Sequence, residues 1–419
     1  MGAGTAQRGA CLLISGKVRK NMEFVVFAGV LLLLFIFMIV QELIQTKNQE
    51  KLFKKYLREN YGKEPPKEYS LERFARLGSY LERHKEEKQL DDITWNDLGM
   101  DEVFRRIDRT YSAAGEEYLY YTLRNISCGR EALEHLEEVV NWLQGQENIK
   151  VRIQLLMKRL GHLGKYSLYD YLDNLDYLGE RSNRKIVLGN LLYLPFLLLL
   201  FVQPAMGTIG IVLCMLWHIM TYFREKKVIE PYIISFAYVL RLIDVCEELE
   251  KQKIPVYRRE LDELREALKS LLELRRGAYW VMAGNQGKIG GNPLDILADY
   301  LRMILHLDIF QFNRMLEKLR KKTGQVETML AITGYLDMAI SVGGFRKSLE
   351  GYCIPKLEED TEKAFLHMKK GWHPLLSQPV KNSIRADRGI LLTGSNASGK
   401  STFLKMVAVN AVLAQTIHT

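Results

Sequence analysis

The sequence predicts a mainly α-helical fold with transmembrane helices, closed by a short α/β segment near the C-terminal end. Three observations predict it. Two regions, Phe24 to Val40 and Val187 to Phe223, are long, apolar and free of charged residues. Elsewhere the apolar residues recur mostly at threes and fours, the helical period. Near the end, GILLTGSNASGKSTFLK (Gly389 to Lys405) reads as a strand, a tight glycine-bearing loop and the start of a helix.

The bulk properties set bounds. The 419 residues allow two or three domains with a sizeable core. A net charge of +9 and a pI near 9.1 favour anionic partners: nucleic acid, nucleotide or acidic lipid. The basic flanks of a membrane protein give the same excess, so charge alone leaves these open. The cysteines Cys11, Cys128, Cys214, Cys246 and Cys353 are scattered, with no CxxC pair and no histidines beside them at zinc spacing. This pattern predicts reduced cytosolic thiols and no structural metal. The histidines are dispersed too, so metal-dependent and nucleophilic chemistry find no support.

In chain order, residues 1–23 form an N-terminal tail and 24–40 a transmembrane helix, just long enough to cross a bilayer. Met22 directly precedes that run and is an alternative start. Residues 41–90 are a charged linker region containing GKEPPKEYS. Residues 91–186 are the first part of a helical core. From Arg130 to Leu163 one helix is expected, with Leu133, Leu136, Val140 and Leu143 on its apolar face and Gly161 and Gly164 ending it.

Residues 187–223 read as a transmembrane hairpin turning at Gln203, Pro204 and Gly207. Arg181, Arg184 and Lys185 precede it, and Arg224, Lys226 and Lys227 follow. Basic flanks at both ends place them on the cytoplasmic side of a cell membrane, with the soluble body. A buried core hairpin is the competing reading.

Residues 224–354 form the second part of the helical region. Ile229 to Leu249 is expected to be helical. Leu261, Leu264, Leu268 and Leu271 form a seam for another helix, stopped by Gly277. GNQGKIGGNP reads as a flexible turn. Leu294 to Phe312 is oily, but Asp295, Asp299, Arg302, His306 and Asn313 recur at helical spacing, which predicts one buried amphipathic helix and no membrane span. A last helix runs from Thr328 to Leu349.

Residues 355–419 read as the beginning of an α/β P-loop (ABC-type) ATPase domain. Gly394 to Ser401, GSNASGKS, fits G-x-x-x-x-G-K-[ST], after an apolar ILL strand and before an apolar helix. Gly394 and Gly399 let the backbone curl, so that the amides of Ser395, Asn396, Ala397 and Ser398 turn inward on phosphate oxygens. The helix N-terminus adds positive potential. Lys400 reaches the β- and γ-phosphates of ATP, the Ser401 hydroxyl ligates Mg²⁺, and Thr402 adds a phosphate contact. Hydrolysis needs an acidic residue on a later strand. Only His418 and Thr419 follow the helix, so the chain is expected to be truncated, with no catalytic residue of its own.

The flanks carry a resemblance. WHPLLSQPVKNSI followed by ILLTGSNASGKSTFLKMVAVNAVLAQ is similar to the opening of the ATPase domain of the MutS family. Gly394, Asn396, Gly399, Lys400, Ser401 and Thr402 match, and His373, Pro374, Asn382 and Gln415 fit. Ser395, Ala397 and Ser398 depart from the family loop. Val380 stands where relatives often carry an aromatic residue against adenine. ITGYLDMAISVGGFRKSLEGYCIPKL resembles the helix joining the MutS core to its ATPase domain, with Leu336, Asp337 and Pro355 in place. TYSAAGEEYLYYTLRNI resembles the segment opening that core, with Gly115 and Leu123 matching.

The resemblance implies a helical core and lever, ATP and Mg²⁺ as cofactors, DNA as a partner and a homodimer formed through the ATPase domain. It points to a membrane-associated, MutS-related protein without the mismatch-reading domain. The only Phe-x-Glu, Phe223-Arg224-Glu225, stands at the mouth of a membrane helix, where it is a chance match. Two alternatives stay open. One is a transporter-like membrane ATPase, against which three spans are few. The other is a truncated, non-hydrolysing membrane protein with a residual nucleotide loop.

Overall fold

A computed structural model describes residues 36–41, 44–64, 69, 71–86, 88–126, 129–163, 167–275, 293–358, 364–395 and 398–419. Residues 1–59 and 60–419 form separate compact units. In the first, residues 36–41 and 44–59 are helical, and Ile36, Phe37, Met38, Ile39 and Val40 are exposed. The rest of the apolar run that begins at Phe24 lies outside the described residues.

The second unit is mainly helical. Its first helices are α1 (Leu71–Arg83), α2 (Asp92–Leu98), α3 (Met100–Ile107), α4 (Ala113–Arg124), α5 (Arg130–Gly145), α6 (Glu147–Leu160) and α7 (Leu168–Asp173). The expected single helix from Arg130 to Leu163 is two, α5 and α6, joined at Gln146 (φ −115°, ψ 68°). Gly145, the last residue of α5, stands directly before that break. Both helices need to bury a face, and turning at Gln146 lets both do so: Leu136, Val139 and Leu143 on one, Ile153, Met157 and Leu160 on the other. The stop at Gly161 holds, with φ 67°. Gly164 lies outside the described residues.

The hairpin consists of α8 (Arg184–Leu191) and α9 (Tyr193–Val202) against the first half of α10 (Pro204–Glu250). The turn is tighter than expected. Gln203 alone leaves the helical conformation, Pro204 starts α10, and Gly207 lies inside it. A Cβ on Gly207 would sit 2.7 Å from the Leu200 backbone nitrogen, so this glycine permits close approach of the arms. The second arm does not end at Phe223. It runs unbroken through Pro231 to Glu250.

Burial changes along this one helix. Met206, Ile209, Leu213, Leu216, Trp217 and Met220 are exposed, whereas Phe236, Tyr238, Leu242, Ile243 and Cys246 are buried. Its first half therefore has an apolar surface left uncovered by the described residues, and its second half is core.

The remaining helices are α11 (Arg258–Leu271), α12 (Pro293–Leu305), α13 (Leu307–Arg320) and α14 (Thr323–Ser348). The leucine seam is realised: Leu261, Leu264, Leu268 and Leu271 are all buried. A short 3-10 turn to Arg275 follows, and Gly277 and the glycine-rich stretch before Pro293 lie outside the described residues. The amphipathic stretch Leu294 to Phe312 is two helices broken at His306, which takes a left-handed conformation (φ 55°). The break turns Arg302, His306, Asp308 and Asn313 inward, where they meet the foot of the hairpin. Asn313 donates to Asn183 Oδ1 (2.9 Å), Tyr222 to Asp308 (2.8 Å) and Asn190 to the Leu305 carbonyl (3.1 Å).

Three described helical stretches are long and apolar enough to cross a membrane: Arg184–Val202, Pro204–Glu250 and Thr323–Ser348. Burial separates them. The most apolar window of the first is 6% buried and that of the third 83%. Helix α14 is therefore the central core helix of the unit, buried nearly all round.

The C-terminal region holds β1 (Leu366–Gly371), β2 (Asn382–Ala386) and α15 (Lys400–Thr416). The two strands pair antiparallel, Met368 opposite Ile384. The strand expected at ILL is not formed. Ile390 and Leu391 are exposed (55% and 88%) without ladder partners among the described residues. An apolar strand of this kind is stable only between sheet neighbours, which supply both its hydrogen bonds and its cover.

Candidate functional site

The two segments that resemble the MutS core come together. Helices α4 and α14 pack closely, and Asp337 of α14 is fully buried at the N-terminus of α4. Its carboxylate accepts from the backbone amides of Tyr111 (3.0 Å) and Ser112 (2.8 Å) and from the Ser112 hydroxyl (2.6 Å). Ser112 in turn caps α4, accepting from the Gly115 amide (3.1 Å). A negative charge at a helix N-terminus is favourable, and here it also satisfies otherwise orphaned donors.

A second buried carboxylate site lies one turn along. Glu116 accepts from Arg73 and Arg76 (both 2.6 Å), which ties α1 to α4. Neighbouring Glu117 is buried and receives a hydrogen bond from Ser167 (2.8 Å). Burial pushes its pKa up to about 8, against which the Ser167 bond and Arg76 act.

The loop carrying the G-x-x-x-x-G-K-S pattern opens α15. Gly399 takes φ 84°, a left-handed conformation that glycine adopts without strain, and Lys400 begins the helix. The loop is tight: a Cβ on Gly394 would lie 2.9 Å from the Ser398 hydroxyl. The Lys400 ammonium folds back over it, donating to the carbonyls of Gly394 and Ser395, the latter at 2.8 Å. Ser398, Ser401 and Thr402 are exposed at the helix mouth, where first-turn amides have no intrahelical acceptor. Asn396 and Ala397 lie outside the described residues.

The other expected residues fall nearby in sequence without joining the loop. Val380 is 77% exposed, and Asn382 starts β2 with its side chain donating to the Val380 carbonyl (3.0 Å). His373 is buried against the helix, and burial, reinforced by Lys405, holds its pKa below the usual histidine value. Asn410 fixes this element to α15 by donating to the Trp372 carbonyl (3.0 Å). Gln415 bonds the Ala411 carbonyl within its own helix (2.9 Å).

The far end of α15 is tied to α14, a connection that the sequence reading did not find. Arg346 is 1% exposed. Its guanidinium donates to the carbonyls of Ile417 (3.1 Å) and His418 (2.8 Å) and to the Thr419 hydroxyl (2.8 Å), and pairs with Glu137 (2.8 Å). A cation on the unpaired carbonyls of a helix C-terminus also complements the helix dipole. The sequence signal was slight: an arginine on an otherwise apolar helix, with partners far away in sequence.

No family model matches the chain. Over 123 residues, 27% of the chain and 12% of the relative, it is 28% identical to the MutS protein homolog 4 of Homo sapiens. It is 33% identical to the DNA mismatch repair protein MutS of Acholeplasma laidlawii over 110 residues, 25% of the chain and 13% of that protein. It is 31% identical to the DNA mismatch repair protein MutS of Leptospira interrogans over 124 residues, 27% of the chain and 14% of that protein. The chain therefore spans only 12% to 14% of the length of these relatives. About a quarter of it is related in sequence to MutS-family proteins.

Proposed function

We propose that the chain is a membrane-tethered, MutS-like ATP-binding protein whose helical body contacts DNA through the phosphate backbone. The observation that carries this reading is the path from loop to core. Gly394 to Ser401 open α15, and Arg346 of α14 holds its other end. Asp337 of the same α14 caps the helix that opens the core. A change at the loop thus has a rigid route into the helical body. The sequence relation to MutS proteins supports DNA as the partner, and the net charge of +9 suits phosphate contacts.

The residues present fit a nucleotide triphosphate. Gly394 lies close against Ser398, Lys400 already folds over the loop carbonyls, and the helix mouth faces solvent. Amides of the loop and first turn, with Lys400 and Thr402, would hold the phosphates, and the Ser401 hydroxyl would ligate Mg²⁺. Lys400 must first release two carbonyls, so binding changes the loop. Bound ATP would supply free energy for closing two such loops against each other in a homodimer. The exposed apolar hairpin supports the tether, with both of its basic flanks on the cytoplasmic side.

The test uses the full chain in detergent or nanodiscs. Mg-ATP binding, measured by calorimetry, is expected in the parent and absent in Lys400→Ala. Equal binding by both proteins would refute the loop assignment. Mobility shifts with duplex, branched and mismatched DNA across a salt series test the DNA part; no shift at low salt would remove it.

A further inference from the structure

An unpaired buried cation lies well away from the loop. Lys150, at the start of α6, is 6% exposed, yet among the described residues its ammonium has neither a hydrogen bond nor an ion pair. Its ammonium stands 3.6 Å from the centroid of the Tyr61 ring, and that of Lys347 stands 5.3 Å from the same ring. Burial lowers the Lys150 pKa, and the like charge of Lys347 adds to the effect, with Glu147 opposing. Arg109 reaches the same place. A Cβ on Gly344 would meet Arg109 at 2.8 Å and the Tyr61 ring at 3.4 Å. One terminal nitrogen of Arg109, Nη2, is buried with no partner. Two lysines and an arginine thus converge on one tyrosine.

A buried charge without a counter-ion is costly, and a ring face offsets only part of that cost. Such a cluster persists most readily where an anion arrives to complete it. We propose that Tyr61, Arg109, Lys150 and Lys347 form a phosphate-binding site for a nucleic-acid backbone, separate from the Gly394–Ser401 loop. The assignment rests on the DNA reading above and gives it an address.

Two distances choose the ligand. Arg152, two residues beyond Lys150 in α6, pairs with Glu248 of α10 (3.2 Å). At 1.5 Å per residue, about 37 Å of helix separates Glu248 from Phe223, where the apolar arm ends. Headgroups of the membrane that holds the hairpin are therefore out of reach. The neighbouring Arg346 holds the far end of α15, about 25 Å of helix from the loop, so this is not the nucleotide cradle.

The experiment measures duplex binding by fluorescence anisotropy from low to moderate salt, with the full chain in nanodiscs. Lys150→Met keeps the buried stem, and Lys347→Gln is a second, exposed change. Lys321→Gln, on the exposed end of α13, matches the charge change elsewhere. Each site variant is expected to weaken binding several-fold and to lower the slope of log K against log salt by about 0.9. Lys321→Gln is expected to leave the slope unchanged. Lys150→Met is expected to melt no lower than the parent, because it removes an unpaired charge. Site variants indistinguishable from Lys321→Gln would overturn this site while leaving the DNA reading intact. A parent that binds no duplex at low salt overturns both. Thermal stabilisation by inorganic phosphate, compared with chloride at equal ionic strength, forms the last arm. If the site variants lose that stabilisation but keep duplex binding, the site takes a free anion and the nucleic-acid assignment is wrong.

Discussion

Gly115 and Glu117 sit within one turn of α4 and are constrained in opposite ways. Gly115 is a matter of space: an added Cβ would lie 2.4 Å from an Asp337 carboxylate oxygen. Alanine is the better helix former by up to about 1 kcal/mol. It would nonetheless displace a carboxylate that holds two amides and a hydroxyl, at a cost on the order of 1–3 kcal/mol. Gly115→Ala is therefore expected to lower the thermal midpoint of the chain in detergent; an unchanged or raised midpoint would show that the joint yields easily. Glu117 is a matter of charge. Its folded pKa of about 8 lies above the ordinary 4.5. Between those values the folded state keeps a proton that the unfolded state has released, so stability falls as pH rises through the window and levels off above 8. The slope is at most about 1.4 kcal/mol per pH unit. Glu117→Gln removes this loss, so its melting point relative to the parent should rise from pH 5 to pH 8. A constant difference would place the titration elsewhere.

At the scale of elements, α14 connects the rest. It caps α4 through Asp337, receives the Tyr257 hydroxyl at the Ile332 carbonyl (3.1 Å) and holds α15 through Arg346. Arg346→Met keeps much of the volume but strands two carbonyls and leaves Glu137 Oε2 only His418, at 3.5 Å. Breaking a buried pair by removing one partner costs about 3–5 kcal/mol. Hydrogen exchange should then quicken in the last turn of α15 and leave α4 unchanged. Equal protection in both proteins would mean that Arg346 is not what fastens α15. The helices themselves were largely legible in the sequence, because Leu133, Leu136 and Val140, or Leu261, Leu264 and Leu268, repeat with the helical period. The break at His306 was not, and the one at Gln146 had only the single glycine before it, Gly145, as its signal. His306 is left-handed in an apolar run with no local signal, and its surroundings hold it there: Thr221 lies 3.3 Å from its ring nitrogen, and the His218 ring is 5.3 Å away.

For the whole molecule, the question is which apolar surface protein covers and which it leaves bare. On the proposed topology, Gln203 at the tip of the hairpin lies across the membrane from Ser182. In a chain stripped of native cysteines, Gln203→Cys should react with an impermeant maleimide from outside intact cells, and Ser182→Cys only after permeabilisation. Reaction of both from the same side would rule out a spanning hairpin. The hairpin was legible because charge-free runs of that length are rare outside membranes. The loop at Gly394–Ser401 was legible because its spacing is chemical. By itself the sequence determined the helical periods, the apolar hairpin and the pattern of the loop, all of which depend on residues close together in the chain. Only the tertiary structure decided that α14 is core although it is long and apolar enough to span, that α10 passes from bare to buried without a break, and that Asp337, Arg346 and Lys150 find their surroundings. Those outcomes depend on contacts between residues far apart in sequence, whose gain appears only when the helices pack.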